Sequence, residues 1–180
     1  ALRMLDVDPM GLDHTVATTT SKIPAPVLHS FSSERRVLHG IPPTTFFYEE
    51  ATSWNGQWGT PIGANQTTTI DDMITTAVKV GTGALLSRKS YRAMTGPNLL
   101  GFGQALPVCE PSCFTQIPVY NYGLGVVRSG SWILQDPLYQ GYSATEAYLP
   151  SEKVAIAYVA RVKAQLDARA EAMDARPIAT

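Results

Sequence analysis

From Val119 onward the chain alternates strand-forming runs with turns too short for anything but antiparallel pairing. Val119 to Arg128 and Ser131 to Leu134 flank Ser129-Gly130, a two-residue hairpin turn. Ser143 to Leu149 and Lys153 to Ala160 flank Pro150-Ser151-Glu152, a second hairpin. Val154-Ala155-Ile156-Ala157-Tyr158-Val159 is apolar without alternation, which predicts a strand covered on both faces. The last segment places Val162, Leu166, Ala170 and Met173 on one side and Lys163, Asp167, Glu171 and Asp174 on another. Arg169 falls beside Val162 at the rim of that stripe, so the segment reads as an amphipathic helix packing back on the sheet. An antiparallel sheet flanked by helices is an α+β fold.

The preceding sequence divides in two. Residues 1–66 form a loop-rich excursion in which Pro24, Pro26, Pro42, Pro43 and Pro61 break any regular element. Stretches of that kind are uncommon unless they line a site or cover a core. Residues 67–96 are helical. Thr68 with Asp71, or Thr69 with Asp72, has the spacing of a capping box, and Ile70, Met73, Ile74, Ala77 and Val78 share a helical face. Gly81 and Gly83 end that helix, and a second runs from Ser87 through Tyr91 and Met94 to Gly96. A Pro-, Gly- and Cys-rich loop then leads to the sheet region, 119–180. The opening residues, Ala1 to Asp6, lack a secretory-signal layout and read as the last turn of a helix begun upstream.

With 180 residues, 44% hydrophobic, the chain can bury a substantial core as one domain or a large piece of one. A net charge of −1 gives no reason to expect nucleic acid as a partner. No apolar run reaches the roughly 20 residues that a transmembrane helix needs. Cys109 and Cys113 bracket a tight loop around Pro111. They read as a local disulfide of an oxidising compartment or as two reduced thiols; alone they are half a zinc site, and no metal is expected. His14, His29 and His39 lie on loops with no carboxylate at useful spacing and read as structural or surface histidines. Asn65-Gln66-Thr67 fits a glycosylation sequon without other support.

Several segments, in order, resemble the group of class C β-lactamases, D-alanyl-D-alanine carboxypeptidases and family VIII esterases. Asp8-Pro9-Met10-Gly11-Leu12-Asp13-His14-Thr15 resembles its "PLGM-x-x-T" segment. Gly63-Ala64 followed by Thr68-Thr69-Ile70-Asp71-Asp72-Met73 resembles "GG-x-x-ST-x-x-D-hydrophobic", and Gly83-Ala84-Leu85-Leu86-Ser87 resembles "G-x-LLS". Tyr122-Gly123-Leu124-Gly125 matches "YGLG", there the strand entering the catalytic sheet. Gly141-Tyr142-Ser143 and Tyr148-Leu149-Pro150 match "GY-S" and "Y-x-P". Each string is weak alone; their order across nearly the whole chain carries the resemblance.

The resemblance implies the C-terminal portion of one β-lactamase-like domain and acyl transfer to a serine, with no cofactor. In that group a Ser-x-x-Lys pair supplies nucleophile and base, a Tyr-x-Asn or Ser-x-Asn element assists, and a Lys-Thr-Gly strand lines the opposite wall. The first element lies upstream of everything matched here. Ser21-Lys22, Ser87-Arg88-Lys89 and Ser151-Glu152-Lys153 fail its spacing or setting, and Tyr120-Asn121-Tyr122 sets its Asn one residue early. No catalytic residue is therefore expected in this chain.

The Lys-Thr-Gly strand should be present, its Lys or His six residues before the Gly of "GY". Six before Gly141 is Gln135, so Gln135, Asp136, Pro137 and Leu138 form the expected pocket wall. Gln cannot act like Lys toward a substrate carboxylate, Asp136 would repel it, and Pro137 brings no amide proton; Leu138 keeps its amide as a potential oxyanion donor. The wall is either remodelled for substrates without that carboxylate or degenerate. The long loop region overhangs the pocket in relatives, which makes Trp54 and Trp58, with Phe46, Phe47 and Tyr48, substrate contacts or loop packing. The expected partners are the N-terminal half of the same fold, in one chain or as a separate fragment, and a small acyl substrate or cell-wall peptide. The expected location is secreted or at a bacterial envelope. The alternative is a non-catalytic binding or scaffolding protein that keeps the cleft.

Overall fold

A computed structural model describes residues 7–17, 20–54, 65–109, 113–139 and 141–161. The helix end expected over 1–6, the C-terminal helix over 162–180 and Trp58 lie outside them. The fold is α+β. Its elements are α1 (Asp8–Met10), β1 (Val16–Ala17), β2 (Phe31–Ser32), β3 (Glu49–Glu50), β4 (Gln66–Thr67), α2 (Ile70–Thr82), α3 (Arg88–Thr95), β5 (Tyr120–Tyr122), β6 (Val127–Ser129), β7 (Trp132–Gln135), β8 (Leu138–Tyr139), β9 (Tyr142–Leu149) and β10 (Val154–Arg161). The main sheet runs β10-β9-β7-β6-β5, with β8 also pairing β9; the pairings β5–β6, β6–β7, β7–β9 and β8–β9 are antiparallel.

The chain forms two compact units. One gathers the described residues of Ala1–Thr15, Thr68–Asp136 and Thr145–Tyr158; the other those of Val16–Thr67, Pro137–Ala144 and Val159–Thr180.

In the first unit α2 starts where its cap dictates. The Thr69 hydroxyl accepts from the Asp72 amide at 3.3 Å, which selects Thr69 with Asp72 from the two capping alternatives. Gly83 closes the helix in the left-handed conformation, φ +69°, donating to Lys79 and Val80 carbonyls. Gly81 is not a terminator as the sequence reading has it. It sits inside α2 because the Tyr148 ring of β9 lies against its Cα, where any Cβ would overlap the ring. Met73 and Ala77 carry the buried stripe, while Ile70 at 46% and Val78 at 36% exposure fall off it.

The Asp72 carboxylate, itself 5% exposed, accepts from the Thr15 hydroxyl at 2.7 Å and the His14 amide at 2.9 Å. The Thr15 and Thr68 hydroxyls lie 2.7 Å apart. Two segments more than fifty residues apart in sequence are thereby stitched together. A buried carboxylate is tolerated because charged acceptors make the stronger hydrogen bonds. α3 is capped by the Ser87 hydroxyl, which accepts from the Ser90 amide at 3.1 Å.

Three strand expectations need correction. Val119 to Arg128 is not one strand: Gly123 and Gly125 make a turn between β5 and β6, with Gly125 at φ +78° and the Gly123 amide donating to Val126 at 2.8 Å. Gly123 is also pressed against the Met94 carbonyl, where a side chain has no room. The "YGLG" string is therefore mostly turn. The next turn is Gly130-Ser131, one residue later than expected, because Ser129 and Trp132 pair. Gly130, at φ +58°, supplies the positive φ such a turn needs at its first position. Finally, β10 is not covered on both faces among the described residues: Val154, Ile156 and Tyr158 are 43, 45 and 50% exposed.

The core of this unit is Val126, Val127, Ile133, Ala147 and Tyr148 with Met73 and Ala77. Asn121 is buried beside it, its Nδ2 donating to the Ile117 and Pro118 carbonyls at 3.0 and 3.2 Å. Its Oδ1 has no hydrogen-bond partner among the described residues. It clamps the turn entering β5.

The second unit holds two short ladders, β1 with β4 and β2 with β3. Phe31 and Ala51 are buried there with Ser30, Ser32 and Thr52. The Ser30 amide donates to the Thr52 hydroxyl at 2.9 Å, and the Ala51 amide to the Ser30 carbonyl at 2.9 Å. Gly141, at φ +82°, lies against the Phe31 backbone, closer than any side chain would allow.

Candidate functional site

The expected pocket wall begins at the end of β7. Gln135 pairs in register with Glu146 of β9. Its side-chain amide donates to the Gly125 carbonyl in the β5–β6 turn. A lysine could reach that carbonyl as well, but Gln leaves the strand end uncharged. Asp136 is exposed, and its charge helps to raise the Tyr120 phenol above its ordinary pKa, second to burial and ahead of Tyr122.

Between Asp136 and Pro137 the chain passes to the second unit. There the Pro137 carbonyl accepts from the Ala144 amide at 3.0 Å, and Leu138 pairs with Ser143. Leu138 is 76% exposed, so this strand start presents an open apolar side chain. Tyr142 is pushed up from its ordinary pKa chiefly by burial, opposed by hydrogen bonds with Ser30 and Thr52, while Glu50 adds to the rise; its hydroxyl donates to the Leu28 carbonyl.

Glu146 is the residue that sequence reasoning missed. Tyr148 stands two positions along the same strand, so both side chains share the face toward α2. Glu146 lines a small cavity together with Ala77, Val80 and Gly81 of α2 and with Val126, Ile133, Leu134 and Gln135. Burial against that apolar wall pushes its pKa from 4.5 up to about 7. A signal was available: on an alternating strand, Glu146 takes the inward register of Tyr148.

Each histidine has a carboxylate neighbour that its spacing in the sequence did not announce. His29 Nδ1 lies 2.6 Å from Glu50, His39 Nε2 3.7 Å from Glu49 and His14 Nδ1 3.9 Å from Asp72. Glu49 is held below the ordinary carboxylate range mainly by its hydrogen bonds with Arg35, whose Nε donates at 2.7 Å. The Arg35 guanidinium lies 4.7 Å over the Trp54 ring. Trp54 thus packs against an arginine of its own unit's ion pair. Cys113 is disulfide-bonded; the Cys109 side chain lies outside the described residues. No group of three or more metal-ligating side chains occurs among the described residues, nor is any described helix long and apolar enough to cross a membrane.

Solved structures supply the frame. The chain is similar to a D-stereospecific amidohydrolase from a Streptomyces species, with TM-score 0.64 and 18% identity, over 89% of this chain and 42% of that one. The penicillin binding protein from Bacillus halodurans matches at TM-score 0.58 and 14% identity, over 86% and 41%. The D-amino acid amidase from Ochrobactrum anthropi SV3, solved with L-phenylalanine amide, matches at 0.58 and 16%, over 88% and 42%. The fold is β-lactamase/transpeptidase-like, as in these three proteins. No family model and no curated protein matches the sequence. The chain spans about two-fifths of the length of these solved structures.

Proposed function

We propose that this chain is the C-terminal half of a serine hydrolase of the β-lactamase-like type, whose nucleophile lies upstream. One observation carries the reading: the chain is nearly all used in the likeness, 86 to 89%, while about three-fifths of each relative is left unmatched. A Ser-x-x-Lys pair in that upstream part would be acylated by a small ester, amide or D-amino-acid peptide. The serine oxygen bonds to the acyl carbon as the amine or alcohol leaves with a proton; water then releases the acid and restores the serine.

In this scheme Gln135, Asp136, Pro137 and Leu138 form the wall opposite the serine. The Leu138 amide is the oxyanion donor this chain contributes. An uncharged Gln135 and an anionic Asp136 favour substrates that lack the usual carboxylate, such as amino-acid amides. The upstream half is the partner that packs on this one, and the open row Val154, Ile156 and Tyr158 supports a missing neighbour. Secretion, or residence at a bacterial envelope, goes with this proposal.

A second reading, a binding or scaffolding protein with a degenerate site, is favoured by the tie of Gln135 to the Gly125 carbonyl. That tie occupies the side chain where the resemblance implies a cation. Ammonia release from D- and L-phenylalanine amide by the protein joined to its upstream half separates the two. The enzyme reading expects turnover with one enantiomer preferred. Saturable binding of the amides without ammonia release would overturn it in favour of the second.

A further inference from the structure

We propose that a concavity between α3 and the β6–β7 hairpin, in the first unit, binds a small organic dianion. Its volume is about 440 Å³, within the roughly 300–1,000 Å³ of small-molecule sites. Arg92 of α3 and Arg128 of β6 both line it, with Tyr91, Thr95, Ser131 and Ile133.

Two observations point to an anion. No carboxylate lines the concavity. Neither guanidinium makes a hydrogen bond or ion pair among the described residues, whereas Arg35 is paired with Glu49 and Arg36 donates to the Pro42 carbonyl. Two unpartnered cations sharing one recess repel each other, and an anion between them relieves that repulsion.

The rest of the lining is fixed or apolar. The Tyr91 hydroxyl donates to the Gly81 carbonyl, which holds its ring as a wall. Thr95 donates its hydroxyl to the Tyr91 carbonyl at 2.9 Å, so it has no proton left for a ligand. Ile133, 8% exposed, pairs with Arg128 across the hairpin. Ser131, exposed at the hairpin turn, is the hydroxyl donor left to face an anion.

Guanidinium forks match the paired oxygens of carboxylate and phosphate, and the Tyr91 ring and Ile133 offer an apolar seat for the ligand body. The ligand class is a phosphate monoester or a dicarboxylate, since both present paired anionic oxygens.

The test is isothermal titration of the protein, joined to its upstream half, with inorganic phosphate and with glutarate, at low and high salt. Saturable binding of at least one probe, weakened by salt, is expected. Arg92→Gln and Arg128→Gln should each weaken it roughly tenfold, and Arg128→Lys should fall between. Lys89→Gln, elsewhere on α3, should leave it unchanged. Phosphate alone binding would mark a phosphoryl site, and glutarate alone a carboxylate site. The absence of saturable binding with both probes would overturn the proposal. So would an equal loss in Lys89→Gln, which would mean diffuse attraction to a basic helix. Should Arg128→Gln fail to fold, exposed Arg92 on α3 still decides.

Discussion

Glu146 makes stability depend on pH in a direction opposite to that of most carboxylates. The residue lines a small cavity with Ala77, Val80 and Val126, and burial alone lifts its pKa from 4.5 to about 7. Between those values the folded chain holds a proton that the unfolded chain has released. Stability therefore falls as pH rises through this window, is fully present below 4.5 and is fully lost above about 7. At about 1.4 kcal/mol per pH unit, the shift corresponds to roughly 3 kcal/mol. Water still reaches the half-buried group, which trims this to about 1–2 kcal/mol.

Glu146→Gln mimics the protonated form and removes the penalty. Urea unfolding of both proteins across the pH range should give matching stabilities at low pH. The curves should part as pH rises from about 4.5 to about 7, with the variant more stable by that amount at the alkaline end. Taking the difference between the two proteins cancels every other titrating group. Parallel curves would refute the reasoning, and so would a variant less stable at alkaline pH.

Two further predictions concern packing. Gly81→Ala places a methyl in the Tyr148 ring, and despite the helix propensity it gains it should cost about 1–3 kcal/mol in urea unfolding. Asp72→Ala strands the Thr15 hydroxyl and the His14 amide; it should cost about 2–4 kcal/mol, while Thr69→Ala, which removes only the cap, should cost about 1 kcal/mol.

Much of the fold was legible because local chemistry and global packing agreed. The caps at Thr69 and Ser87, the left-handed Gly83 and the two hairpins all follow from residue type at fixed spacing. What misled was glycine with two uses. Gly81 looks like a terminator but is a contact surface for Tyr148, and Gly123 and Gly125 look like strand residues but make a turn. Nothing within a few residues distinguishes these uses, because the neighbour that decides lies far along the chain. The same holds for the candidate site. His29 finds Glu50 across 21 residues and Thr15 finds Asp72 across 57, so spacing could not announce either. Gln135 was singled out by its distance from Gly141, whereas Glu146 needed the strand register that pairs the two.

The central proposal is a hydrolase whose serine lies upstream of this chain. Mass spectrometry after fluorophosphonate labelling, with the adduct mapped to a peptide, tests it most directly on the protein joined to its upstream half. One adduct is expected, on a serine before Ala1 that is followed three residues later by a lysine. An adduct on any serine within residues 1–180 would contradict it.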